Sequence, residues 1–271
     1  MANWTEIGDR VFVRRYPFFD QNIGVVLGDG AAMLVDTRST HAQARAVQAD
    51  LWELTRNPVT VVVDTHGHFD HAFGNHVFRP AAIWGHARCV TFLERTAEVR
   101  RARVALEHPE LAADLDEVVI DPPDRTFDEM GNPEVGGRRV ELHFLGRGHT
   151  DHDIVVRVPD ANVLFVGDLL ENGAVPFFAD GYPLDWPETA ARVAEMSTGV
   201  VVPGHGDHAR GAFAHDQASA FLQLAELARR VHRGEIALDD AVAATPFTDY
   251  PNEDIRRPLL RALEQLRGEL D

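Results

Sequence analysis

Four short apolar runs in this chain each stop at a turn, and each turn hands over at once to a residue type that binds metal ions. Val61-Val62-Val63 leads into the string His66-Gly67-His68-Phe69-Asp70-His71. Val140 to Leu145 leads through Gly146 and Gly148 to His149. Val163 to Val166 leads through Gly167 to Asp168, and Val200 to Val202 leads through Pro203 and Gly204 to His205. Short β-branched runs bounded by Gly or Pro read as buried strands, and loops at strand ends are where a rigid scaffold presents its chemistry. The four loops together deliver five histidines and two aspartates, enough donors for two metal ions. Neutral imidazole and carboxylate suit zinc, and also iron or manganese.

Alternation along an extended segment predicts that His66, His68 and Asp70 face one side. Helix-compatible Ala72 and Phe73 follow, so the chain is expected to bend there and bring His71 round as a neighbour.

At these residues the chain resembles a known family. The string Thr65-His66-Gly67-His68-Phe69-Asp70-His71 is similar to the signature of the metallo-β-lactamase-fold hydrolases. Gly148-His149-Thr150, Gly167-Asp168 and Gly204-His205 match that family's remaining metal motifs in order, over roughly residues 10 to 210. The resemblance implies one metal on His66, His68 and His149, a second on Asp70, His71 and His205, and Asp168 bridging them. It also implies an α/β fold, the αββα four-layer sandwich, with the metals at one edge between two sheets. The match departs at Ala72-Phe73-Gly74-Asn75, where many relatives have two glycines. It departs also at Asp168, where the best-known zinc β-lactamases use cysteine or serine. The aspartate resembles the glyoxalase II, lactonase and phosphodiesterase branches instead. The single cysteine, Cys89, lies elsewhere and reads as a small buried residue.

The function implied is a dinuclear hydrolase in which a metal-bound hydroxide attacks an acyl bond in a small molecule: a thioester, lactone, ester or β-lactam-like amide. Two zinc ions are the expected cofactors, and Asp70 is the candidate catalytic residue, passing a proton to the leaving group. One alternative is a phosphodiesterase. Another is an iron enzyme of persulfide-dioxygenase type, with a single ion on the first three-histidine site. A binding protein on a decayed enzyme fold fits least, because all seven ligand types are present.

Charge and length narrow the partners. The chain has 26 basic against 43 acidic residues, a net charge of −17. A nucleic-acid enzyme leans on basic side chains to neutralise phosphates, so no nucleic-acid partner is expected. The segment from Glu94 to Arg103 reads as a solvated helix face. No apolar run approaches the roughly 20 residues of a membrane helix, no signal-peptide pattern is visible in Met1 to Arg15, and one cysteine allows no internal disulfide. A cytoplasmic location without membrane attachment is the expectation.

At 271 residues the chain reads as a metallohydrolase domain over 1–211 with a helical extension over 212–271 packed on it. Val11 to Arg15, Gly24 to Leu27 and Met33 to Val35 are expected strands, with Gly28-Asp29-Gly30 as a hairpin turn. Thr40 with Gln43 forms a capping box opening a helix that carries Ala44, Val47, Leu51 and Leu54 and stops at Asn57-Pro58. Residues 86–114 read as helix broken near His108-Pro109, 121–137 as a loop, and Trp186 to Met196 as a short helix opened by Pro187. The extension predicts helices over 216–232, closed by Gly234, over 236–244 and over 254–270. It serves as a layer over a sheet or, alternatively, as a substrate lid or a homodimer surface.

Further candidates lie near the motifs. His152 and Asp153 could orient the ligand imidazoles, and His86 could touch substrate at another strand end. His76, His208 and His215 read as incidental. Phe177, Phe178, Tyr182 and Trp186 either line a pocket mouth or pack on the core, and Tyr182 could stabilise an oxyanion.

Overall fold

The computed structural model describes residues 4–247 and 255–270. Seven strands form the first sheet in sequence order: β1 (Thr5–Gly8), β2 (Val11–Tyr16), β3 (Gln21–Leu27), β4 (Ala32–Val35), β5 (Val59–Val63), β6 (Ala82–His86) and β7 (Arg125–Phe127). Its first four strands are antiparallel, and β4 through β7 run parallel. After β8 (Met130–Gly131), β9 (Glu134–Val135) and β10 (Arg138–Arg139) pair as a small ribbon. The second sheet adds β11 (Glu141–Phe144), β12 (Ile154–Val158), β13 (Val163–Gly167), β14 (Val200–Pro203) and β15 (Ala209–Arg210), in the order β15-β14-β13-β12-β11-β8.

Both sheets are apolar on two faces, and period-two alternation sorts their side chains into separate layers. Val61 and Val63 of β5 point inward against Ile154, Val156, Val163 and Phe165 of the second sheet. Val62, between them, points outward with Ile23, Val25, Leu34 and Ile83. That outer face is covered by α1 (His41–Leu54) through Ala44, Val47 and Leu51, and the Thr40 hydroxyl caps α1 by accepting from the Gln43 amide. Leu164, Val166 and Val201 face out from the second sheet. They meet α5 (Trp186–Met196), α6 (Gly211–His232), α7 (Leu238–Ala243) and α8 (Arg257–Leu266). The result is the expected four-layer αββα arrangement with a helical C-terminal region. Between β5 and β7 lie the short α2 (Phe69–Ala72), the long α3 (Ala87–Glu107) and α4 (Ala112–Asp116), which share their own apolar cluster around Leu93, Ala97 and Leu115.

Several local expectations shift. The 121–137 segment, read as a loop, contributes β7, β8 and β9, strands too short to show alternation. The helix expected from 216 begins at Gly211. Of the helix expected over 254–270, Asp254 lies outside the described residues, and Arg257–Leu266 is helical. The C-terminal helices form a layer: none of their described residues lines the cavity that reaches the ligand loops. They do brace its wall, since Arg261 Nε donates to the Gly181 carbonyl and Gln265 accepts from the Leu184 amide.

Candidate metal centre

The loops after β5, β11, β13 and β14 leave the two sheets at one edge, and backbone hydrogen bonds lock them together. The Gly204 amide donates to Gly167 (2.8 Å), Asn22 to Gly204 (2.7 Å) and Ile154 to Thr65 (2.9 Å). All seven ligand-type residues from these loops converge. Ligand atoms of His66, His68, His149 and Asp168 lie within 4.8 Å of one another, and Asp70, His71 and His205 form a second such group. The two groups meet at Asp168, whose Oδ2 is 3.7 Å from His66 Nε2, 3.5 Å from His149 Nε2 and 3.4 Å from His205 Nε2. Its Oδ1 is 3.4 Å from His71 Nε2. Asp70 Oδ2 closes the second group at 3.4 Å from His71 Nε2 and 3.3 Å from His205 Nε2.

The route to this cluster differs from simple alternation. His68 sits on extended backbone, but His66 already lies in a bend and α2 begins at Phe69, so the chain turns before Asp70 rather than after His71. One helical turn therefore delivers both Asp70 and His71 to the second group.

Each imidazole turns its outer nitrogen to an acceptor and its inner nitrogen to the centre. His71 Nδ1 faces Asp36 Oδ2 at 2.8 Å, His68 Nε2 faces Asp180 Oδ2 at 2.8 Å, and His149 Nδ1 faces the Phe177 carbonyl at 3.0 Å. His205 Nδ1 faces the Phe19 carbonyl at 2.6 Å. The Thr65 hydroxyl donates to Asp36 (2.9 Å), which leaves it to accept from His66 Nδ1 (3.1 Å). With the outer nitrogens protonated, the inner ones present lone pairs. His149 Nε2 and His68 Nδ1 then stand 2.8 Å apart, and His71 Nε2 and His205 Nε2 3.2 Å apart. Lone pairs at such distances require a cation or a proton between them. His66 Nε2 and Asp168 Oδ1 are moreover buried with no hydrogen-bond partner. Imidazole and carboxylate donors in this arrangement fit divalent metal ions.

The electrostatics agree. Burial holds His66 well below the ordinary imidazole value and lowers His68 to about 4, so both are neutral and ready to donate. For His71 and His205 burial again opposes protonation, but Asp168 and Asp70 outweigh it and raise both well above the ordinary value. Asp70 and Asp168 stay ionised despite burial, because the facing His71 and His205 hold them below the usual carboxylate range. The second group thus attracts positive charge strongly.

Asp36, Asp180 and the Phe19 carbonyl were not singled out from sequence. Asp36 does carry a signal, since it directly follows the apolar run ending at Val35, much as Asp168 follows the run ending at Val166 after one glycine. His152 and Asp153 act on backbone rather than on imidazoles: His152 Nε2 accepts from the Gly67 amide (3.0 Å), and Asp153 accepts from the Thr150 amide and hydroxyl (both 2.7 Å). They hold the loops that carry His66, His68 and His149. His86 is buried beside the Asp128 carbonyl and caps α3, away from the cavity. His76 pairs with Asp121 at the surface, and Cys89 is buried.

A cavity of about 690 Å³ opens onto the cluster. Of the four aromatics in question, Phe177 lines it, whereas Phe178 and Trp186 are buried in the core against Phe221. Tyr182 lies under the Arg147 guanidinium and does not line the cavity. The face of α3 expected to be solvated forms the opposite wall, through Arg95, Thr96, Val99, Arg100, Arg103 and Val104. Among the described residues no helix is long and apolar enough to cross a membrane.

A family model described as the metallo-beta-lactamase superfamily matches residues 16–226. The metallo-beta-lactamase type 2 of Bacteroides fragilis is 24% identical over 216 residues, spanning 75% of this chain and 79% of that protein. Among solved structures, the metallo-beta-lactamase from Pontibacter korlensis superposes with a TM-score of 0.63 at 22% identity, over 82% of this chain and 99% of the other. A double mutant of the sec-alkyl sulfatase PisA1 gives 0.76 at 15% identity, over 98% of this chain and 50% of that one. At such identities the structural likenesses speak to the fold.

Proposed function

Because this chain belongs to the metallo-beta-lactamase superfamily, most of whose members are metal-dependent hydrolases, we propose that it is a dinuclear metallohydrolase that cleaves an acyl bond in a small molecule. The observation that carries this reading is the position of Asp168 Oδ2, within 3.7 Å of His66 Nε2 and 3.4 Å of His205 Nε2, where one carboxylate serves both ligand groups. His66, His68 and His149 would hold one ion, Asp70, His71 and His205 the other, and Asp168 would be shared. When bound, two such ions would lower the pKa of a coordinated water from 15.7 to about 7 and polarise a carbonyl oxygen.

The chain's own residues supply the rest. Asp36 and Asp180 fix the tautomers of His71 and His68. Asp70 lies on the floor of the cavity, ionised and beside two imidazoles, where it can hold a proton for a departing alcohol, thiol or amine. Phe69 and Phe177 line the same cavity and keep water from an apolar substrate segment. Residues 212–271 serve as an extension that steadies the 171–185 segment, a reading supported by the Gln217 and Arg261 hydrogen bonds to Glu171 and Gly181.

Plasma mass spectrometry of the purified protein, run beside thioester, lactone, ester, phosphodiester and β-lactam substrates, tests the proposal. About two zinc ions per chain with acyl-bond turnover is the expected result. One iron per chain, a silent panel and oxygen uptake with a persulfide would overturn it.

A further inference from the structure

The cavity wall opposite the ligand cluster is built by one helix, and its side chains follow two parallel lines. Arg95, Val99, Arg103 and Glu107 recur every fourth residue along the exposed rim of α3. Thr96, Arg100 and Val104 form the deeper line. The deep arginine is already engaged: Arg100 bonds Asp180 at 2.5 Å and lies over the Phe92 ring at 4.6 Å. Its role is to hold Asp180 against His68. The rim arginines differ. Arg103 leans on Glu107 at 2.7 Å, and Arg95 has no hydrogen bond or ion pair among the described residues.

Two large apolar side chains stand open at the same mouth. Val99 is 71% exposed and Phe177 45% exposed, although both line the cavity, and Phe69 continues the apolar path to Asp70. A chain of net charge −17 thus turns an arginine-flanked apolar strip toward its candidate centre. Outside the ligand cluster, the acidic residues that line the cavity are engaged: Asp20 with Arg15, Glu107 with Arg103, Asp180 with Arg100 and His68, and the buried Glu171 with the Phe177 amide.

We propose that the substrate is an amphipathic anion, with its apolar body against Phe69, Phe177 and Val99 and a distal negative group held by Arg95. Guanidinium binds a carboxylate or sulfate in two parallel charge-assisted bonds, which a neutral group cannot reproduce. At 1.5 Å per residue Arg95 and Arg103 are about 12 Å apart along α3. One anionic group therefore engages one of them, and Arg95 is the one with no carboxylate at ion-pair distance among the described residues. The assignment of the reacting end rests on the hydrolase reading, and the charge preference of the distal end does not.

The test compares two p-nitrophenyl esters of equal chain length, one ending in methyl and one in carboxylate, on the metal-loaded protein and its Arg95→Ala variant. Arg45→Ala, outside the cavity lining and in a surface pair with Glu117, controls for the loss of one positive charge. The expected result is a lower KM for the anionic ester, with that preference falling on the order of tenfold in Arg95→Ala and unchanged in Arg45→Ala. Equal KM values for the two esters, or equal loss of preference in both variants, would overturn the proposal. If neither ester is turned over, the hydrolase reading fails by itself. Calorimetric binding of octanoate against octanol then decides the arginine assignment: a preference for octanoate that Arg95→Ala abolishes supports it, and an unchanged preference overturns it.

Discussion

The Asp36 carboxylate and the His71 imidazole meet at 2.8 Å, both buried, although 35 residues separate them in the chain. The same carboxylate accepts from the Thr65 amide and hydroxyl, so a single residue at the end of β4 orients ligands in both groups, His71 directly and His66 through Thr65. Asp36 holds this position with a φ of 64°, in the left-handed region that few non-glycine residues adopt and aspartate more readily than most.

Asp36→Asn replaces an oxygen that accepts two hydrogen bonds with an amide nitrogen that accepts none. Removing such an outer partner typically costs 10- to 100-fold in metal affinity. Chelator competition should show a loss of roughly that size with the far-ultraviolet spectrum preserved. Unchanged affinity would mean that the Asp36–His71 contact has no part in ligand orientation.

Gly204→Ala attacks the shared aspartate directly. A Cβ at residue 204 would lie 1.9 Å from Asp168 Oδ1 and 3.0 Å from His71 Cε1, and both neighbours are buried. Asp168 must swing away, so metal content should fall below one ion per chain. Mass spectrometry that finds two ions in this variant would show that Asp168 is not needed where the structure puts it.

Proton release should distinguish the two ligand groups. In the metal-free protein His71 and His205 have pKa values raised well above 6.5, against burial, by Asp168 and Asp70. They therefore carry protons at neutral pH that a metal must displace, whereas His66 and His68 are already neutral. Affinity of the second group should rise with pH until the folded-state values of His71 and His205 are passed. Calorimetry in buffers of different ionisation enthalpy should find protons released on filling it. Release of the same number of protons by both groups would contradict this assignment.

Asp70→Asn keeps shape and removes the charge. Turnover should drop by about 100-fold or more if Asp70 handles the leaving-group proton, while the melting temperature moves little. A variant with full metal content and full activity would exclude that role.

Behind the centre, Trp186 stacks on Phe221 at 4.6 Å and donates from Nε1 to the Leu169 carbonyl, next to Asp168. Trp186→Ala should cost about 3–5 kcal/mol in denaturant unfolding. A loss below about 1 kcal/mol would show that the second sheet and its helices do not depend on this residue.

Much of this molecule could be read along the chain because its signals are local. Valine runs ending in glycine mark strands that stop, the Thr40–Gln43 pair marks the start of α1, and histidines placed just past strand ends mark the ligands. Each of these is decided within a few residues, by backbone hydrogen bonding and side-chain period. Tertiary structure alone decided which acceptors stand behind the ligands. Asp36 reaches His71 across 35 residues and Asp180 reaches His68 across 112; no local pattern distinguishes Asp180 from a surface aspartate, and the strand-end place of Asp36 does not say which imidazole it serves. The Arg95–Arg103 face is solvated as expected, but its place on the cavity wall was hidden for the same reason. An arginine every fourth to eighth residue looks alike on a helix facing solvent and on a helix facing a cavity, and only the packing of α3 through Leu93 and Ala97 turns that face toward the metal centre.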